Sequence, residues 1–307
     1  MELGIALPTS GPFAGPEAIV QVARQAEALG YDAVWTYERL LYPVAGVDQG
    51  DGKLQPLPDV YRSTYEPIET LAYVAAVTER VKLGTSIVNA PFHTPVVLAR
   101  RFATLDRFSG GRAIAGIGQG WMDQEFETTN ATKQLRGDGV DDFVAAMRAA
   151  WGPDPVSHDG PHYRIAESLI NPKPVRPEGV PVLLGGFSPA AMRRAARIAD
   201  GLNPIAFSLE QVSGSVQGFR EAATEQGRDA AALSVYVRAN VPLTAEPLPE
   251  DQRPFLGGSA AQVAADLEQL APLELTQVLF ADSGGSATVD EALKRMEELA
   301  SATAGLR

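Results

Sequence analysis

Short apolar runs alternate with longer segments of helical period along the whole chain. The short runs are rich in β-branched residues and are bounded by turn residues, whereas apolar positions in the longer segments recur roughly every three or four residues. Most of the short runs are too apolar to leave a face in water, which is typical of parallel strands covered on both sides. The predicted strands are Leu3–Leu7, Ala33–Tyr37, Val81–Val88, Ala113–Gly118, Pro181–Gly185, Gly201–Ile205, Leu233–Ala239 and Leu275–Phe280.

The helical segments carry their own start and stop signals. Pro16 and Pro67 stand near predicted first turns, Gly30 follows the first helix, and Ser109-Gly110-Gly111 closes the helix Pro95–Phe108. Each predicted strand is paired with a helix, and no internal linker interrupts the series. We therefore predict one (β/α)8 TIM barrel spanning residues 1–307, in preference to a doubly wound sheet, which usually has fewer strands.

Three connections exceed the usual few residues. Glu38–Glu66 and Val241–Gly258 follow the second and seventh strands, so these extended loops rise from the C-terminal face, where barrel enzymes bind their substrates. The third, residues 152–180, is an insertion before the fifth strand and starts at the opposite face. Within it, Ser157–Tyr163 indicates a hairpin around an Asp-Gly turn. His158 and His162 flank that turn and are predicted to be solvated rather than metal ligands.

Composition excludes several classes of function. The net charge of −12 repels nucleic acids and anionic membranes, so no partner of either kind is expected. The chain has no cysteine, and its three histidines do not form HExxH, so we expect no metal site. Without a basic N-terminal region or an apolar run of about 18 residues, the pattern favours a soluble, cytoplasmic protein with a small-molecule substrate.

Small residues cluster where the third and fourth strands end. The segment from Gly84 to Pro91 exposes backbone groups near the centre of the barrel mouth, although an ordinary strand exit has the same composition. The alternating glycines of Gly116–Gly120 do not match the dinucleotide fingerprint. In a barrel these glycines have two interpretations. They would let a ligand approach the backbone beneath Trp121, or they serve tight packing alone.

A third cluster combines glycines with a helix start. Leu184-Gly185-Gly186-Phe187-Ser188 runs into the helical pattern Ala190–Ala199. Free N–H groups at Gly186, Phe187 and Ser188, together with the helix dipole, form a candidate phosphate site. Ser188 is also explained as a simple N-cap.

Glu38 and Arg39 follow the second strand directly. They are either an ion pair with a depressed carboxyl pKa or a contact for substrate or cofactor at the barrel mouth.

Taken together and in order, these segments resemble the bacterial luciferase-like superfamily, and within it the oxidoreductases that use the deazaflavin coenzyme F420. The resemblance is close over roughly residues 1–205 and looser beyond. The segments that carry it are Val81–Val88, Thr104-Leu105-Asp106, Ser109-Gly110-Gly111-Arg112, Gly116–Trp121, Asn171-Pro172-Lys173-Pro174, Pro181–Gly186 and Ala199-Asp200-Gly201.

The resemblance implies a site as well as a fold. It implies a luciferase-like (β/α)8 barrel with a non-proline cis peptide between Ser86 and Ile87. It also implies that Ser86, Ile87 and Asn89 line the deazaflavin ring and that Gln119 and Gly120 contact it from the fourth strand. The residues implied at the phosphate are Leu184, Gly185, Gly186, Phe187 and Ser188.

Two departures from the family pattern change the expected chemistry. Relatives often have Asp-His where this chain has Glu38-Arg39, so the usual imidazole is missing from that position. Glu38 can replace the acid and His93 is a lesser candidate for moving protons, whereas Arg39 is a poor general acid. Trp121 stands where the family's sugar-phosphate dehydrogenases carry a glutamate, which favours an apolar or aromatic substrate.

The resemblance therefore predicts an oxidoreductase that transfers a hydride between F420 and an organic substrate. The alternative is a monooxygenase that uses FMNH2 and O2, supplied by a flavin reductase in trans. A non-catalytic flavin-binding protein is a third interpretation, because the superfamily contains such members. Family habit further predicts a homodimer.

Overall fold

Eight parallel strands form a closed barrel in the computed structural model, which describes residues 1–48, 50 and 52–306. Each strand pairs with the next along the chain, and the eighth pairs with the first, so the predicted (β/α)8 architecture is confirmed. The barrel strands are Glu2–Ala6, Ala33–Thr36, Lys82–Thr85, Ala113–Gly118, Val182–Gly185, Gly201–Asn203, Ser234–Val241 and Gln277–Asp282.

The third strand is shorter than predicted. The sequence predicts an uninterrupted strand over Val81–Val88, but the regular strand stops at Thr85. Two residues later Val88–Asn89 resumes pairing, now with Ile117 and Gly118 of the fourth strand. The break between these segments is the bulge that carries the candidate site.

Helices cover the outside of the barrel, and several begin as the sequence predicts. Proline occupies the first turn of the helices that start at Pro16, Pro67, Pro95 and Pro189, where its missing N–H costs nothing. Gly110 closes the third of these helices with a φ of 69°. In the described residues the α-helices are Pro16–Ala28, Pro67–Ala75, Pro95–Ser109, Asp123–Thr128, Asp138–Trp151, Pro189–Ile198, Leu209–Glu225, Ala260–Leu270 and Val289–Ala302.

The barrel interior is filled by a small aromatic cluster. Trp35 packs edge-on against Tyr236, with ring centroids 5.5 Å apart, and its Nε1 donates a hydrogen bond to Gln277 Oε1 at 2.7 Å. A Cβ at Gly84 would collide with the Trp35 ring, so glycine is required at that position. The cluster closes the barrel from below, and polar groups fill the layer above it.

The two long loops at the C-terminal face are present as predicted. The loop after the second strand contains a ribbon, Val47–Asp48 with Leu54–Gln55, and a 3-10 turn, Asp59–Arg62. The loop after the seventh strand pairs Leu243–Thr244 with Gly258–Ser259. Across the described residues, no helix is long and apolar enough to cross a membrane.

The insertion at the opposite face forms the predicted hairpin, Val156–Asp159 with Arg164–Ser168, but two details differ. The turn is closed by the N–H of Gly160 donating to the Tyr163 carbonyl, so it is longer than an Asp-Gly turn. His158 is not solvated, because its Nε2 lies 2.7 Å from Asp142 Oδ1 and its side chain is 17% exposed. His162 is exposed, as predicted.

Candidate active site

The end of the third strand carries a non-proline cis peptide between Ser86 and Ile87, at the position implied by the resemblance. Ser86 is buried and its three polar groups are all used. Its N–H donates to the Thr36 carbonyl at 2.7 Å, its hydroxyl lies 2.6 Å from Asn203 Oδ1, and its carbonyl accepts from Arg238 Nη1 at 2.6 Å. The bulge is therefore held from the second, sixth and seventh strands at once.

Ile87 explains the glycines of the neighbouring strands. A Cβ at Gly118 would collide with the Ile87 side chain, and one at Gly185 would come within 3.1 Å of its Cγ2. A Cβ at Gly116 would collide with the Thr85 carbonyl oxygen. Of the two interpretations offered for the alternating glycines, tight packing accounts for Gly116 and Gly118, because the bulge of the third strand occupies the space they leave.

Glu38 is the centre of a hydrogen-bonded cluster at the barrel mouth. It is buried, and its Oε2 accepts from both the backbone N–H and the side-chain amide of Asn89, at 2.8 and 3.2 Å. Its Oε1 lies 2.6 Å from Nε2 of His93. The imidazole missing beside Glu38 in the sequence is thus supplied in space by the loop after the third strand. His93 therefore lies beside Glu38 at the barrel mouth.

Asn89 links this cluster to the fourth strand. Its Oδ1 accepts a hydrogen bond from the Gly120 N–H at 2.9 Å. Gly120 has a φ of 68° and faces the Phe92 and Phe126 rings, so a larger residue would be both strained and crowded there. Gln119 is half-buried, and its Oε1 accepts from the Gly137 N–H at 2.8 Å. The Gln119 side chain therefore orders the segment that leads to the next helix.

Arg39 does not pair with Glu38. Its Nη1 lies 3.0 Å from Oε1 of Glu125, a buried residue that sequence reasoning did not single out. Burial raises the pKa of the Glu125 carboxyl, and the neighbouring guanidinium only partly opposes this. The Arg39 guanidinium also lies over the rings of Tyr61 and Trp121, 5.2 and 5.3 Å from their centroids. Trp121 is 46% exposed.

The Gly-Gly-Phe-Ser segment leads into helix Pro189–Ile198. The Ser188 hydroxyl accepts from the Ala191 N–H at 3.2 Å, so the N-cap interpretation is confirmed for this serine. Gly186 has a φ of 147°, and its N–H is not free, because it donates to the Asn203 carbonyl at 3.4 Å. Leu184 is buried, whereas Phe187 is exposed and packs edge-on against Phe207.

Arg136 is a further candidate that no sequence pattern indicated. Its Nε and Nη2 are buried without a hydrogen-bond partner, and its guanidinium lies 4.7 Å from the centre of the Phe126 ring. A Cβ on the adjacent Gly137 would lie 3.2 Å from Nη2 of Arg194, in the helix capped by Ser188. Arg136 thus places two unsatisfied donors between the loop after the fourth strand and this helix. A cation with unsatisfied donors is suited to bind an oxyanion such as a phosphate.

A cavity of about 350 Å³ is lined by Tyr37, Tyr61 and Arg238. It lies above the first, seventh and eighth strands. Arg238, Tyr37 and Tyr61 stand on its polar side, and the rest of its wall is largely apolar. Because Arg238 also contacts the Ser86 carbonyl, the cavity adjoins the bulge of the third strand.

The sequence model of the luciferase-like monooxygenase family matches residues 1–247. The chain belongs to this family. A luciferase-like relative, an uncharacterized protein of Mycobacterium tuberculosis, is 31% identical over 307 residues, covering 98% of both chains. Another, an F420-dependent glucose-6-phosphate dehydrogenase of Amycolatopsis mediterranei, is 29% identical over 194 residues, covering 61% of this chain and 53% of its own length.

The luciferase-like fold is also evident in solved structures. A monooxygenase from Streptomyces bottropensis superposes with a TM-score of 0.83 at 21% identity, covering 100% of this chain and 99% of its own. At 21% identity this likeness establishes the fold alone. The cofactor and substrate of this chain have to be inferred from its own residues.

Proposed function

We propose that the chain is an F420-dependent oxidoreductase that transfers a hydride between the deazaflavin and an organic substrate. The observation that carries the proposal is the Glu38–His93 pair, 2.6 Å apart, next to the Ser86–Ile87 peptide. A relative that is an F420-dependent dehydrogenase supports the choice of cofactor. F420, when bound, supplies hydride transfer at C5 of its ring.

The residues at the mouth fit such a cofactor. Ser86 and Ile87 would support one face of the ring, and Asn89, Gln119 and Gly120 would border its edge. The phosphate would lie between the segment Leu184–Ser188 and Arg136, whose unpartnered Nε and Nη2 are the observation that favours an anion there. The N–H groups at the start of helix Pro189–Ile198 add the favourable end of the helix dipole.

The chain's own residues handle the proton that accompanies hydride transfer. A histidine gains and loses a proton near neutral pH, which suits a general acid or base. The Glu38 carboxylate, fixed by Asn89, orients the His93 imidazole. His93 is the group that donates or accepts the proton, and Glu38 is its partner. Arg39, held by Glu125, positions Trp121 over the mouth, where its indole favours an apolar or aromatic substrate.

A second candidate is an FMNH2- and O2-dependent monooxygenase that relies on a separate flavin reductase. The structural likeness to the Streptomyces bottropensis monooxygenase, which covers the whole chain, favours this second candidate. A non-catalytic flavin-binding protein is less well supported, because the cavity lined by Arg238, whose Nη1 donates to the Ser86 carbonyl, leaves room for a substrate.

Equilibrium binding of F420 and FMN, measured side by side at fixed ionic strength, tests the proposal. We expect F420 to bind at least about tenfold more tightly than FMN, a difference of about 1.4 kcal/mol. Arg136→Gln should weaken F420 and leave the affinity for its phosphate-free deazariboflavin core unchanged. Preference for FMN would support the monooxygenase, and binding of neither cofactor would contradict both assignments.

A further inference from the structure

Arg238 occupies the layer of the barrel directly above the aromatic cluster. Side chains alternate along a strand, so Arg238 points inward like Tyr236, whose ring packs on Trp35 inside the barrel. At the mouth, Arg238 Nη1 donates to the Ser86 carbonyl at 2.6 Å. Its Nε donates to Asn240 Oδ1 at 2.7 Å, and its guanidinium lies over the Tyr37 ring, 5.4 Å from the centroid.

All of the groups that Arg238 contacts are neutral. Among the described residues no carboxylate forms an ion pair with Arg238, although the side chain is half-buried. Burial lowers the pKa of its guanidinium, and the tyrosines Tyr61 and Tyr37 only partly oppose this. Arg295, which lines the same cavity, instead lies 2.6 Å from Glu298. A half-buried cation without a counterion is costly unless an anion is bound beside it.

The cavity next to Arg238 is suited to an apolar body. Its volume of about 350 Å³ lies in the range of small-molecule sites. Ile5, Leu7 and Phe13 belong to its wall. The acid in the wall is Asp282. Its Oδ1 accepts from the N–H groups of Leu243 and Gly285, and its Oδ2 is buried without a hydrogen-bond partner among the described residues.

We propose that Arg238 binds the carboxylate of an organic acid whose apolar body fills this cavity, which makes the substrate of the proposed oxidoreductase an apolar carboxylic acid. This inference rests on the proposed function. A guanidinium matches a carboxylate with two parallel hydrogen bonds, so it both attracts and orients the acid. Because Arg238 also holds the Ser86 carbonyl, the bound acid would lie next to the cofactor side of the mouth.

Paired probes that differ only in charge test the proposal. Binding of 4-phenylbutyrate and of its uncharged amide is measured by titration calorimetry, with and without F420. We expect the wild-type chain to bind the carboxylate at least about tenfold more tightly than the amide. Arg238→Gln should remove this preference in the titrations without F420. Arg295→Gln, a control with the same charge change at the same cavity, should keep the preference.

Three results would overturn the assignment. Equal binding of both probes, or binding of neither, would mean that the cavity does not select carboxylates. A variant Arg238→Gln that keeps the preference but loses F420 affinity would assign the guanidinium to the cofactor ring. The wild-type affinity for F420, measured in the same series, tests the proposed function separately, since the carboxylate preference is also read without cofactor.

Discussion

Two histidine–carboxylate pairs stand at opposite faces of the barrel. His93 Nε2 lies 2.6 Å from Glu38 Oε1, and His158 Nε2 lies 2.7 Å from Asp142 Oδ1. The histidine side chains are 15% and 17% exposed. Neither the distance nor the exposure distinguishes one pair from the other.

The second oxygen of each carboxylate does distinguish them. Glu38 Oε2 accepts from the backbone and side chain of Asn89, next to the bulge of the third strand. Asp142 Oδ2 accepts from the N–H groups of His162 and Tyr163, in the turn of the insertion hairpin. The same chemical pair therefore closes a hairpin at one face and, in the proposed function, transfers a proton at the other. Its surroundings, not its geometry, decide its role.

Removing the carboxylate charge gives the largest expected contrast. Glu38→Gln keeps an oxygen for Asn89 but removes the carboxylate that orients His93, so we expect kcat to fall by about 10²- to 10⁴-fold. Asp142→Asn makes the same change at the other face and should leave kcat unchanged. Turnover of reduced F420 with a substrate found by screening is the measurement. Equal losses in both variants would contradict the division of roles.

Replacing each histidine by glutamine separates the effect on activity from the effect on stability. His93→Gln should lower kcat by about 10²-fold, because glutamine cannot donate or accept the proton. His158→Gln should leave kcat intact and lower the free energy of unfolding by about 1.5–3 kcal/mol, the range for a hydrogen bond to a charged group. Steady-state kinetics and urea unfolding measure the two effects. An active His93→Gln variant would remove His93 from the mechanism.

The hairpin pair should also respond to acid. Burial raises the pKa of Asp142, but hydrogen bonds from His158, His162 and Tyr163 outweigh it, so the net pKa lies below its usual 3.8. The folded state then binds this proton less tightly than the unfolded chain. The stabilisation is present above the unfolded pKa and is lost as pH falls through the folded value. In urea unfolding, the deficit of Asp142→Asn relative to wild type should shrink between pH 7 and pH 3.

Glu125 provides a smaller effect of opposite sign. Burial raises its pKa above the usual 4.5, against the influence of Arg39. The folded state holds this proton more tightly, so the contribution is present below the unfolded pKa and is lost as pH rises through the folded value. We expect Glu125→Gln to become more stable relative to wild type as pH rises from 4.5 to 7. If Glu125→Gln instead became less stable relative to wild type as pH rises, as expected for Asp142→Asn, the ion pair with Arg39 would outweigh burial in setting the Glu125 pKa.

The fold could be predicted because local pattern and global architecture agree. Apolar runs with helical segments between them permit few arrangements, and a closed barrel covers every strand on both faces. The break in the third strand was not visible as a pattern, since Val81–Val88 is apolar and small throughout. The Ser86–Ile87 peptide was found through resemblance alone.

The candidate site was harder to predict because its contacts are distant in sequence. Glu38 and His93 are 55 residues apart, and nothing local indicates that they meet. Arg238 had a signal that was missed. In Ser234–Val241 the inward positions carry Tyr236, Arg238 and Asn240, and so many polar groups on the inner face of a barrel strand indicate a lined cavity.

The fit of Ile87 against Gly118 and Gly185 has a consequence for anyone who redesigns this pocket. The three positions come from three different strands and share one volume, so substitutions among them are not independent. A library that varies one position at a time would reject larger residues at 118 or 185 that a smaller residue at 87 would accept. Positions 87, 118 and 185 should be randomised together, as a single unit of diversification.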